Sequence, residues 1–287
     1  MILNNIAEAK EFLPSVNLTV ANERFTDFFR RSQSWLVSRV IGTELESLLE
    51  TAQREANDSH AELRRLCRRI IAEKALLDAI PEMDMQLTEA GFAVQNNDNF
   101  SPASAQRVDR LISKMPERIS TDVDQLVSYL LKVSVDDDET KALYPDWRST
   151  KQFNRLTMAF MPLMEQYLSV SGACAYTKWD EFHSALPLLN RSMKAVADYY
   201  VSSAEIDSLL ARFRDDKVSE IHRRAIEELK VVAVASANGS IGCARNAAAR
   251  ARDIMMESPD DFPSFKNSKA YNSLNVNLDG GKVVNFI

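Results

Sequence analysis

Four arginines stand in two pairs four residues apart: Arg64 with Arg68, and Arg65 with Arg69. The stripe around them, Leu63, Leu66, Cys67, Ile70 and Ile71, has helical periodicity. Residues i and i+4 of a helix share a face, so each pair stacks two guanidiniums in a way that fits phosphate oxygens. A second basic group, Arg245, Arg250 and Arg252, lies in an Ala-rich segment. The chain carries 41 acidic against 35 basic residues, a net charge of −6. With carboxylates in excess, the preferred reading is pairing with Glu and Asp of this chain or a neighbouring subunit. Arg64, Arg65, Arg68 and Arg69 are the candidates for facing phosphate if that pairing is absent.

Other reactive side chains are sparse. His60, His183 and His222 stand far from one another and from any Cys, outside metal-ligand spacing. They read as surface or capping residues. Asp136, Asp137, Asp138 and Glu139 form an acidic run that lacks the alternating ligands and central Gly of a calcium loop, and it reads as a solvated loop. Cys67, Cys174 and Cys243 show no CxxC spacing; an odd, scattered set fits a reducing compartment without a disulfide framework. No glycine-rich phosphate loop, nucleophile elbow or HExxH motif occurs. No catalytic, cofactor-binding or metal-binding residue is assigned, and the expectation is a protein that is not an enzyme.

The length of 287 residues has room for two ordinary domains, and 45% apolar residues suffice for real cores. Only seven Gly and nine Pro argue against a sandwich or barrel with many tight turns. The acidic balance is not that of a general nucleic-acid binder. The opening residues are not those of a secretory signal, because Asn and Glu interrupt their apolar run. No stretch is long and apolar enough to span a membrane.

The elements are mostly helical. A short helix ends at Pro14. A helical pattern over 22–53 is broken at Gly42, with Thr43 and Glu46 as a capping box. A further helix runs from about Ser59 to Ala79, with Pro81 at its end. Residues 88–104 form an extended loop with one short extended piece at 92–95. Helices follow at 103–113 and 121–132, then at 150–169, 177–200, 204–213, 217–236 and 240–257, with Ser202 and Glu205 as another capping box. Met158, Met161 and Met164 read as core or subunit contact, and Trp35 and Trp179 as core anchors. Leu274, Val276 and Leu278 alternate with Asn before Asp279-Gly280-Gly281, which predicts a hairpin into Val283–Ile287. Such a hairpin is marginal alone in water and must pack on this chain or a partner.

Val40–Leu49 aligns without a gap on Val201–Leu210, with five of ten positions identical. Each copy continues to an Arg pair, Arg68-Arg69 and Arg223-Arg224. The match predicts an internal duplication. The expected architecture is mainly α: two related helical-bundle domains, 1–140 and 145–258, and a C-terminal arm, 259–287, with a small β-hairpin.

Leu13-Pro14, Trp35-Leu36, Ile41-Gly42-x-Glu44-Leu45, Ala72 with Leu76-Leu77, Leu87-Thr88-x-x-Gly91-Phe92-x-Val94 and Pro102-Ala103-Ser104 with Arg107-Val108 and Leu111 occur in this order. Over about residues 1–130 this resembles phage- and prophage-encoded virion proteins of the head–tail connector (adaptor, neck) type, in a two-repeat version. The resemblance implies a ring of many copies, often twelve, made in the host cytoplasm and seated in the virion neck. Its partners would be itself, the portal protein above it, and tail or other neck proteins below. DNA would pass through without sequence-specific contact, and no membrane would be involved. Phe92 and Phe100 in the loop, and Leu274, Val276, Val283 and Phe286 in the hairpin, are the expected assembly contacts. The alternative is a cytoplasmic helical regulator or nucleic-acid-binding protein that uses the Arg faces.

Overall fold

The structure, a computed structural model, describes residues 1–13, 22–55, 58–83, 85–88, 91–94, 105–136, 141–171 and 176–272. The fold is mainly α. The chain divides into two compact units, Met1–Gln152 and Phe153–Ile287.

In the first unit, α1 (Ile6–Lys10) and α2 (Asn22–Leu36) precede a π-helical turn at Val37–Ile41. Then come α3 (Gly42–Arg54), α4 (Ala61–Met83) and α5 (Ala105–Val133), and a 3-10 turn at Pro145–Ser149. The central helix is α4, which packs on α2, α5 and α1. Its Leu63, Leu66, Cys67, Ile70, Ile71, Ala72, Ala75 and Ala79 are all buried, as a helix between two neighbours requires. Burial pushes the Cys67 thiol well above its usual range, so it packs as a small apolar side chain. Phe25 and Phe29 of α2 meet at a centroid distance of 5.6 Å. Between α4 and α5 lies a short antiparallel ladder: Met85–Thr88 (β1) pairs with Gly91–Val94 (β2), Leu87 opposite Phe92.

Two breaks expected from the sequence are absent or different. The two helices expected at 103–113 and 121–132 are replaced by one helix, α5, over Ala105–Val133, which runs through Pro116. Its seam of Met115, Ile119, Val123, Leu126, Val127 and Leu130 is continuous and buried, and packing along it overrides the single hydrogen bond that Pro removes. Ser120 Oγ donates to the Pro116 carbonyl at 2.7 Å. At Gly42 no side chain caps α3, so the box of Thr43 and Glu46 is not formed.

The second unit holds α7 (Met164–Ser171), α8 (Trp179–Val201), α9 (Ser203–Arg214), α10 (Glu220–Ala237), α11 (Ile241–Glu257) and α12 (Pro263–Lys266). The division between the units falls inside α6 (Lys151–Leu156). Helices α8, α10 and α11 pack on one another. Ala244, Ala247, Ala248 and Ala251 of α11 are fully buried; their small side chains let α10 approach closely. The helix expected over 150–169 is interrupted. Phe160 takes a positive φ of 58° just before Pro162, which has no N–H to continue a helix. The buried Phe160 ring meets Phe213 edge-on at 5.7 Å. Arg214 ties the break down, donating to Thr157 Oγ1 at 2.8 Å and to the Asn154 carbonyl at 3.0 Å. The hairpin expected in the C-terminal arm lies outside the described residues, which end in a 3-10 turn (Pro259–Asp261), α12 and a short run to Asn272.

Candidate functional site: the cleft at the π-helical turn

A π turn, whose bonds span five residues, often marks a functional position in a helical protein. Here the N–H of Gly42 donates to the Val37 carbonyl and closes the turn. Gly42 has φ 80° and ψ 167°, a region open in practice to Gly alone. A Cβ there would also stand 3.4 Å from Gln152 Oε1 and 3.8 Å from Thr150 Cγ2. Carbonyls of the turn draw donors from far along the chain. Trp147 Nε1–H donates to the Val40 carbonyl at 2.8 Å, fully buried. Gln152 Nε2 lies 3.4 Å from both the Val37 and the Ser38 carbonyls, long for a hydrogen bond.

A cleft of about 560 Å³ opens beside this turn. Arg30 and Lys151 bring positive charge to it, Glu44 and Glu46 negative charge. Gln33 orders one wall: its amide nitrogen donates to Glu46 at 2.6 Å and Glu50 at 3.1 Å, and its oxygen accepts the Ile2 N–H at 2.7 Å. These groups can hold a polar ligand or partner side chain; they include no nucleophile activated by a base. Glu44 and Thr150 also border a second, apolar dimple of about 100 Å³. Its wall is Ile41, Leu45, Leu48, Leu143, Pro145 and Trp147. Among the described residues no three His, Cys, Asp or Glu side chains are grouped to hold a metal ion.

Among the described residues, buried carboxylates occur at two other places. Between α4 and α5, Glu73 is 1% exposed and receives Arg118 at 2.5 Å. Asp122, also buried, receives Arg69 at 2.9 Å. Burial, then the hydrogen bond to Asp122, pushes the Glu73 carboxyl up to about 7. Glu73 Oε2 and Asp122 Oδ2 are buried without a hydrogen-bond partner, and the neighbouring Asp122 favours the protonated form of Glu73. In the second unit, Glu205 is fully buried and accepts the Phe265 N–H at 2.7 Å. Burial raises its carboxyl above the usual range. Ser202 Oγ accepts the Glu205 N–H, but the Glu205 carboxylate reaches Phe265, so only half of the expected capping box forms.

The arginines of α4 are largely occupied within the unit. Arg65 pairs with Glu62 at 2.7 Å. Arg68 donates to the Ile2 carbonyl at 2.8 Å and meets Glu8 at 3.4 Å. Arg69 holds Asp122, and Arg64 also has a partner. Arg250 pairs with Glu228 and Arg252 with Asp253. His222 is buried and forms a capping box with Ser219, its Nε2 3.0 Å from the Asp261 carbonyl. His183 is neither surface nor cap: it is buried and stacks on Trp179 at 4.8 Å. Trp179 is a core anchor, while Trp35 is half-buried under Lys74. Met161 and Met164 are buried and Met158 is half-buried. Phe92 lies in β2, opposite Leu87. Phe100, Leu274, Val276, Val283 and Phe286 lie outside the described residues, as does most of the acidic run.

Residues 37–157 match the model of a family described as a family of unknown function, DUF6712. The match opens at the π turn and closes at residue 157, so it includes both the turn and the Trp147 and Gln152 side chains that reach it. No curated protein and no solved structure gives a match. Among the described residues no helix is long and apolar enough to cross a membrane.

Proposed function

We propose that the chain is a structural subunit of a phage neck, a head–tail connector that forms a ring beneath the portal and works by protein–protein packing. The observation that carries this reading is apolar surface left over once each unit has filled its own core. Tyr199 is 84% exposed and Leu143 49%, and Leu188 and Ile241 are also exposed. Single exposed apolar residues are ordinary, but aromatic and large aliphatic side chains are the usual anchors of subunit contacts. A net charge of −6 suits the wall of a channel through which DNA slides without being gripped.

Under this reading the two units descend from one duplicated helical module. Val40 and Val201, Leu45 and Ile206, and Leu49 and Leu210 are buried at matching positions. The copies have diverged at Glu44, which is exposed, and Glu205, which is buried. The 92–104 loop and a C-terminal hairpin would grip neighbouring copies through Phe92, Phe100, Leu274, Val276, Val283 and Phe286, and the portal and tail-side neck proteins would bind the two rims. The nucleic-acid-binding alternative would have to free Arg65, Arg68 and Arg69 from their carboxylates.

Co-sedimentation of the chain with the portal protein of the same genome tests the proposal. Migration of the chain with the portal ring is expected. A chain that stays at the top of the gradient, yet binds duplex DNA with a steep salt dependence, would favour the alternative.

A further inference from the structure

The apolar dimple of the first unit has room for one aliphatic side chain and is too small for an ordinary small-molecule ligand. Leu143 at its edge is 49% exposed. Glu44 and Asp146 stand at its border, and neither makes an ion pair among the described residues. It is a largely apolar hole bordered by two carboxylates that make no direct ion pair, so its occupant should bring an aliphatic side chain and a cation together.

The second unit presents that pair. Ile241, in the first turn of α11, is 42% exposed, and Arg245 lies one helical turn on, on the same face. Arg250 and Arg252 are paired with carboxylates, whereas Arg245 makes no ion pair among the described residues. The corner between α10 and α11 is also clear of surrounding chain: a Cβ added at Gly239 or Gly242 would meet nothing within 4 Å. Gly239, Ser240 and Gly242 flank Ile241 with small side chains, so nothing bulky obstructs its entry. Leu188 is similarly exposed, but it sits in the middle of the long helix α8 and does not project from a corner.

We infer that the dimple receives Ile241 from a second copy of this chain, with Arg245 of that copy meeting Glu44 and Asp146. The two patches differ, so the contact is head-to-tail and generates a ring if its rotation closes. The inference rests on the assembly reading above and specifies one of its contacts.

Mass photometry of the full chain tests it, using wild type, Arg245→Glu, the double variant Glu44→Lys with Asp146→Lys, and all three changes together. Each charge reversal alone should weaken assembly tenfold or more, and the combination should restore it. Wild type that assembles equally well with Arg245→Glu would overturn this contact and leave the assembly reading standing. Wild type that never assembles, alone or with the portal protein, would overturn both. A second readout avoids dependence on affinity: in a Cys243→Ser background, Leu143→Cys with Ile241→Cys should give a ladder of disulfide-linked copies on oxidation. Absence of the ladder from an assembled sample would also overturn the contact.

Discussion

The indole N–H of Trp147 reaches the carbonyl of Val40 across 2.8 Å, joining residues 107 positions apart. This bond and the Gln152 side chain hold the π turn to the segment that follows α5. Trp147→Phe removes the donor and leaves a buried carbonyl without its partner, which should cost about 1–3 kcal/mol. Guanidinium unfolding of the full chain measures it, and a loss below about 0.5 kcal/mol would show that the bond is not important to the turn.

Backbone strain gives a pair of opposite predictions. Gly42→Ala forces a side chain into φ 80° and ψ 167° beside Gln152 and should destabilise the chain by about 1–3 kcal/mol. Ser202 already bears such strain, at φ 67° and ψ 141°, with a long 3.3 Å capping bond. Ser202→Gly should relieve it and raise stability by about 0.5–1 kcal/mol, since Gly is nearly as good a cap. Paired thermal melts would detect both signs.

Glu73 makes stability depend on pH. Its carboxyl rises from an ordinary 4.5 to about 7 in the folded chain, so folding favours the protonated form. The stabilising contribution is complete below pH 4.5 and is lost as pH rises to about 7, where the buried Glu73 becomes a carboxylate beside Asp122. Glu73→Gln keeps the shape and cannot ionise. It should match wild type at pH 5 and exceed it in stability at pH 8. Equal denaturation midpoints at pH 8 would contradict the raised Glu73 carboxyl.

Periodicity made the helices legible, because one apolar stripe determines where a helix faces. The stripe of α4 and the spans of α8 to α11 follow from residues such as Leu63, Ile70 and Leu189 alone. Pro116 and Phe160 misled or hid for a shared reason: tertiary packing sustains α5 through a proline and breaks the chain before Pro162. The cleft was not legible. Its organising residues, Trp147 and Gln152, carry no local motif and matter only because they return to Val37–Ile41 from more than 100 positions away. Glu73 and Asp122 were two carboxylates among many until the seam between α4 and α5 enclosed them. Glu205 was read as half of a cap, and the strap it holds was not foreseen.

That strap yields a further prediction. The buried Glu205 carboxylate fixes the N–H of Phe265, and His222 reaches the Asp261 carbonyl nearby. Glu205→Ala should speed hydrogen exchange at the Phe265 amide about tenfold or more, equivalent to losing about 1.4 kcal/mol of local protection. Glu205→Gln, which still offers an acceptor oxygen, should retain most of that protection. Unchanged exchange in Glu205→Ala would show that α12 is held by Phe262 and Phe265 packing alone.

We propose that this chain works as an assembled subunit. Its most direct test is the mass of the purified full chain by mass photometry, alone and with the portal protein of the same genome. A ring-sized species, alone or on the portal, is expected. A strict monomer or dimer that ignores the portal would contradict it.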